Sequence, residues 1–111
     1  MFEKDVKEIS LLLDFYGELL SERKQSVLAL YYNEDFSLAE IADEIGISRQ
    51  GARDLIKKAE EELHHFEEKL GLVERFEEAK HRIANIRTLS EGKDLPEALA
   101  NEIEALAELF K

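Results

Sequence analysis

The sequence has no cysteine, one proline and only five glycines among 111 residues. Without cysteine there is no disulfide framework, no thiolate zinc site and no Cys nucleophile, and a reducing compartment is the expected setting. So few turn-forming residues argue against a β-sandwich or barrel, which needs a turn every few residues. No apolar run approaches the roughly 20 residues of a membrane span. The first residues, Met1 to Asp5, lack the basic segment and apolar core of a secretion signal, so a cytoplasmic protein is expected. Positive charge is also short: 15 basic residues stand against 26 acidic ones, a net charge of −11. A surface of that sign cannot serve nucleic acid as a whole, because phosphate neutralisation drives such binding. Any nucleic-acid contact must come from a local basic patch.

What is present is helical periodicity. Phe2, Val6, Ile9, Leu13, Tyr16 and Leu20 recur at steps of three and four, with Leu12, Phe15 and Leu19 widening the stripe, which predicts a helix over 2–20. Ser21 reads as the cap of a second helix, Glu22 to Tyr32, carrying Val27, Leu28, Leu30 and Tyr31. Ser37 and Glu40 have capping-box spacing ahead of a short helix, Leu38 to Glu44, which Gly46 stops. Ser48 caps a long helix from Arg49 to Leu70, with a seam of Leu55, Ala59, Leu63, Phe66 and Leu70. Spacing resumes after Gly71 with Val73, Phe76, Ala79, Ile83 and Ile86. Asp94, Pro96 and Glu97 predict the start of a last helix bearing Leu99, Ile103, Leu106 and Phe110. The expected fold is all-α: a helical domain over 1–70 and a C-terminal helical extension over 71–111 that packs or dimerises.

Residues 37–58 carry the most specific pattern. A helix-turn-helix needs a small residue where its helices approach, a glycine in the turn and apolar inner positions. Ala42, Gly46 and the set Ile41, Ile45, Ile47, Ala52 and Leu55 supply these. The helix from Ser48 then becomes the candidate nucleic-acid-binding element. Arg49 and Arg53 share one face, Gln50 suits adenine, and Ser48, Lys57 and Lys58 suit phosphates. Asp54 falls on the same face and would repel phosphate while accepting from base amino groups. Gly51 inside this helix costs about 1 kcal/mol relative to Ala where exposed. The competing reading is a solvated charged face on a helix-turn-helix used for folding or protein contact.

Charge is distributed in keeping with the first reading. Residues 1–47 carry −7, residues 48–58 carry +3 and residues 59–111 carry −7. A small basic island between acidic flanks predicts weak or assisted binding, with the acidic remainder meeting protein.

The run from Leu20 to Tyr32, with Ser37 to Ala42 and Gly46-Ile47-Ser48, resembles region four of bacterial sigma factors, the domain that binds the promoter −35 element. Val27, Leu28, Tyr31, Ile41, Ala42, Gly46, Ile47, Ser48 and Arg53 fall on that pattern, which covers about Leu20 to Leu63 and includes no wing. Over its whole length, from the Phe15-Tyr16-Gly17 helix to the acidic C-terminal helices, the chain more closely resembles the YlxM-type helix-turn-helix proteins of Firmicutes, which are encoded beside the signal-recognition-particle GTPase. The resemblance implies a DNA-binding regulatory protein with a role in the signal-recognition-particle pathway. The alternative it leaves is an accessory protein that contacts the GTPase or its RNA without binding DNA.

Other candidates carry less. His64 and His65 are adjacent and diverge by about 100° on a helix, too few and too divergent for a zinc site. Glu60-Glu61-Glu62 and Glu77-Glu78 lack any nucleophile or phosphate loop beside them and read as solvated faces. No enzyme activity, cofactor or metal is expected. The seams beyond Leu63 exceed what a minimal helix-turn-helix core needs, which predicts a homodimer.

Overall fold

A computed structural model describes the chain over residues 5–110. Among these residues there are six α-helices and no strand. They are α1 Val6–Tyr16, α2 Glu22–Leu28, α3 Leu38–Ile45, α4 Arg49–Leu70, α5 Leu72–Ser90 and α6 Glu97–Leu109. The all-helical architecture agrees with the expectation. The chain divides into two compact units, Met1–Gly71 and Leu72–Lys111.

The first unit is organised around α4, which packs against α1, α2 and α3. Ala52, Ile56, Ala59 and Leu63 form its fully buried stripe, at steps of four, three and four. The expected seam was one residue out of phase at its start: Leu55 is half-buried, and Ile56 takes the core position. Leu70 is exposed, because it belongs to the last turn and lies beyond the helices that cover α4. Ala52 and Ala59 leave room for close approach of neighbouring helices, and Val27, Leu28 and Ile41 fill the space with no exposed surface. From α1, the buried residues are Ile9, Leu12 and Tyr16, while Val6 is exposed. Phe2, expected on the same stripe, lies outside the described residues.

The boundaries follow local chemistry, with three departures. The first helix ends at Tyr16 rather than Leu20, and a 3-10 turn over Gly17–Leu19 takes its place. Glycine is a weak helix former, and the tighter turn buries Leu20 before the chain reverses at Ser21. The second helix does not run straight to Tyr32. After Leu28 it widens into a π turn over Ala29–Asn33, closed by the Glu34 N–H donating to the Ala29 carbonyl at 3.0 Å. This extra residue in the turn brings Tyr32 inward, where it is buried. The last helix begins at Glu97, with Pro96 as its N-cap residue and no side-chain cap bond. The predicted Asp94 cap and Glu97 box are therefore not formed. Pro96 takes extended geometry, φ −52 and ψ 140, so the helix starts after it and Asp94 sits too far upstream.

The second unit is a hairpin of α5 and α6. Phe76 and Phe110 meet with ring centroids 5.5 Å apart, and Arg87 holds Glu104 through two hydrogen bonds of 3.1 and 3.2 Å. Ile83 is its one buried side chain among the described residues, and α6 buries none.

Candidate nucleic-acid interface

The helix-turn-helix is assembled by caps the sequence announces. Ser37 accepts from the Glu40 N–H at 3.1 Å while the Glu40 carboxylate accepts from the Ser37 N–H at 2.9 Å, which completes the capping box. Gly46 ends α3 in left-handed geometry, φ 81. That conformation lets the Ile47 N–H reach the Ala42 carbonyl at 3.0 Å, the six-to-one bond of a Schellman turn. A side chain at Gly46 would be strained by its φ, whatever space surrounds it. Ser48 then caps α4, its hydroxyl accepting from the Gly51 N–H at 2.9 Å. Gly51 gains a reason here: a Cβ on it would stand 3.0 Å from the Ser48 hydroxyl oxygen. The glycine makes room for the cap that starts the helix.

The candidate binding residues divide between two places. Arg49, Gln50 and Arg53, with Leu38 from α3, line an open concavity of about 630 Å³ beside the start of α4. Arg49 and Gln50 are exposed, and Arg53 is half-buried. Lys57 is exposed one turn further along. Lys58 is not brought together with the two arginines. It lies in a separate groove with Lys24, Glu61, Glu62 and His65.

Gln50 and Asp54 are tied to each other, the Gln50 Nε2 donating to the Asp54 Oδ1 at 2.9 Å. Their spacing of four residues is a signal that could have been read from the sequence. The bond has a chemical consequence. Bidentate recognition of adenine uses one amide N–H and the amide oxygen of Gln50. The bond to Asp54 takes one of the two Nε2 hydrogens and fixes the direction in which the amide points. Glu40, Asp43 and Glu44 are exposed on α3, the helix that contributes Leu38 to the concavity.

The far half of α4 is pinned through three carboxylates, of which Glu60 and Glu62 belong to the run expected to be a solvated face. The Tyr32 hydroxyl donates to Glu60, Lys24 pairs with Glu62, and the Tyr16 hydroxyl donates to Glu67 at 2.5 Å. Glu60 and Glu62 are thus half-buried anchors, not free solvated groups. Burial pushes the Glu60 carboxyl above the usual carboxylate range, against the Tyr32 hydrogen bond, which lowers it. The Tyr32 hydroxyl is pushed up as well, first by burial and then by its bond to Glu60. His64 Nδ1 lies 3.4 Å from a Glu8 carboxylate oxygen, a contact between α4 and α1. Two tyrosines and a lysine therefore fix the orientation in which α4 presents its first turns.

A family model described as "Putative helix-turn-helix protein, YlxM / p13 like" matches residues 3–103. The chain belongs to the UPF0122 family. Members of this family include a protein of Desulforamulus reducens, 43% identical over 95 residues, which cover 86% of this chain and 81% of the relative. A protein of Symbiobacterium thermophilum is 47% identical over 91 residues, 82% of each chain. The YlxM protein of Bacillus subtilis is 43% identical over 98 residues, 88% of this chain and 89% of its own. The family's description agrees with the helix-turn-helix built from Ser37, Gly46 and Ser48. No helix among the described residues is long and apolar enough to cross a membrane.

Proposed function

We propose that this member of UPF0122 is a cytoplasmic, DNA-binding regulatory protein that acts in the signal-recognition-particle pathway. The supporting observation is the concavity in which Arg49, Gln50 and Arg53 stand together at the capped start of α4. Two guanidiniums beside a helix N-terminus suit phosphate oxygens, and the second N–H and the oxygen of the Gln50 amide suit a base edge. In this reading Arg49, Arg53 and Lys57 hold the backbone, Ser48 fixes the helix start, and Lys58 contributes charge from the neighbouring groove. The protein works as a homodimer, which presents two such helices to two half-sites.

A second reading is favoured by one observation, the exposed Glu40, Asp43 and Glu44 on the helix that would cross the DNA backbone. There the protein is an accessory factor whose acidic helices meet the signal-recognition-particle GTPase, and the arginine concavity touches the particle's RNA.

The two readings part in a titration at low salt. The purified protein is added to labelled duplex from upstream of its own coding sequence, and separately to signal-recognition-particle RNA. The first reading expects duplex binding that depends on sequence and weakens with salt. Arg49→Ala/Arg53→Ala should abolish sequence preference and reduce the salt slope by about two. Duplex affinity no better than for random DNA, together with binding to the particle RNA, would sink the first reading and support the second.

A further inference from the structure

The concavity at the start of α4 contains one side chain that has nothing to offer a phosphate. Arg49, Gln50 and Arg53 bring hydrogen-bond donors and one amide oxygen to it, and Leu38 brings only carbon. Leu38 is the first residue of α3, three and four positions before Ile41 and Ala42 and so on their stripe. Those two are buried in the core, whereas Leu38 is half-buried. The apolar stripe of α3 therefore runs past the edge of the core and ends in the concavity. The start of α3 does not depend on it, because Ser37 and Glu40 close that helix end with their own side chains.

The lining identifies what fits it. A leucine among hydrogen-bonding groups is of no use to a sugar-phosphate backbone but matches one feature of a base-pair edge. In the major groove an A·T pair presents the thymine 5-methyl group, the O4 acceptor, the adenine N6 donor and the N7 acceptor. A G·C pair presents two acceptors and one donor, and nothing apolar. The concavity holds the complement of the first set. Leu38 suits the methyl group, a guanidinium N–H suits O4, and the oxygen and second N–H of the Gln50 amide suit N6 and N7. The Gln50 Nε2 bond to Asp54 holds that amide in one direction before any base arrives. An RNA helix offers no such edge, since its major groove is too deep and narrow for side chains to read.

We propose that the concavity reads an A·T pair of duplex DNA, with Leu38 packed on the thymine 5-methyl group and Gln50 bonded to the adenine. Leu38 is then a specificity-determining residue, although it lies eleven positions before Arg49 and outside the charged set on α4. This rests on the DNA-binding reading of the proposed function and deepens it. The charged residues supply attraction to any duplex, and the leucine supplies a preference that charge cannot.

The test begins with a preferred sequence, which the full chain enriches from a randomised duplex pool over successive rounds. The enriched duplex is then copied with deoxyuridine in place of every thymidine, which removes the methyl groups and keeps the base pairing. Wild type should enrich sites that share an A·T pair and should bind the deoxyuridine copy about four-fold more weakly, the worth of one buried methyl group. Leu38→Ala should bind both copies equally, and Leu38→Met, which keeps an apolar side chain of similar volume, should keep the discrimination. Circular dichroism checks that each variant retains its helices, and the wild-type comparison stands without either variant. Equal binding of the two copies by wild type overturns the role of Leu38 and leaves DNA binding standing. A folded Leu38→Ala protein that still prefers the thymidine copy does the same. Failure to enrich any sequence overturns sequence-dependent DNA binding, and this inference with it.

Discussion

The two units spend their apolar residues differently. Thirteen of the fourteen buried apolar side chains among the described residues belong to the first unit, and only Ile83 belongs to the second. In the first unit, α4 is covered on its apolar stripe by three helices and secured at its far end by Tyr16, Tyr32 and Lys24. In the second, two helices of 19 and 13 residues meet along a single line and leave a face of leucines open. A segment this short cannot bury enough surface alone to offset its chain entropy. The contrast separates a unit that buries its apolar residues within one chain from a hairpin that leaves most of its own exposed.

The largest effect should come from the core of the first unit. Leu63→Ala removes a fully buried side chain of α4 and should lower unfolding stability by about 2–5 kcal/mol. Ile83→Ala in the hairpin should cost clearly less when both are measured by urea denaturation, because its surroundings can collapse around the gap. Equal losses would erase the contrast. Next comes the anchor of α4. Tyr32→Phe leaves Glu60 half-buried without this donor and should cost about 1–3 kcal/mol by the same measurement. No loss of stability would mean that Tyr32 is held by its ring alone, edge-on against Tyr31 at 5.1 Å.

A smaller effect is a pH dependence at the same site. The folded state raises the Glu60 carboxyl, so it favours the neutral acid. The stability tied to that shift is complete below the ordinary carboxylate value and is lost as pH rises through the folded one. Glu60→Gln still accepts the Tyr32 hydroxyl and carries no charge. At neutral pH it should be at least as stable as wild type, and the gap should close as pH falls toward about 4. A Gln variant that is less stable at neutral pH than at acid pH, relative to wild type, would reverse the sign and contradict the burial of this carboxylate.

Most of the first unit can be read from the sequence because its signals are local. Ser21, Ser37 with Glu40, and Ser48 each accept the backbone N–H that their positions predict. Gly46 and Gly71 end their helices with positive φ, which side-chain-bearing residues rarely adopt. The misread parts depend on contacts distant in sequence. Nothing local distinguishes a π turn at Ala29–Asn33 from a straight helix, since it is fixed by Tyr32 reaching a carboxylate 28 residues away. Leu55 and Ile56 are equally apolar, and the helices packed on α4 decide which is inside. Glu60 and Glu62 look like solvent residues until Tyr32 and Lys24 arrive. At the candidate interface, both the residue types and their division were legible: Lys58 is five residues beyond Arg53, about 140° around α4, so helical spacing already sets it apart from the arginines. What the spacing does not give is the neighbours of each group, Leu38 beside the arginines and Lys24 beside Lys58.

The most direct test of the contrast is hydrogen exchange measured along the whole chain. If the first unit buries its apolar residues within one chain and the hairpin leaves most of its own exposed, amides of Ala52 to Leu63 should exchange slowly. Those of Ile83 to Leu89 and of Leu99 to Leu106 should exchange faster. Equal protection of both segments would contradict the account.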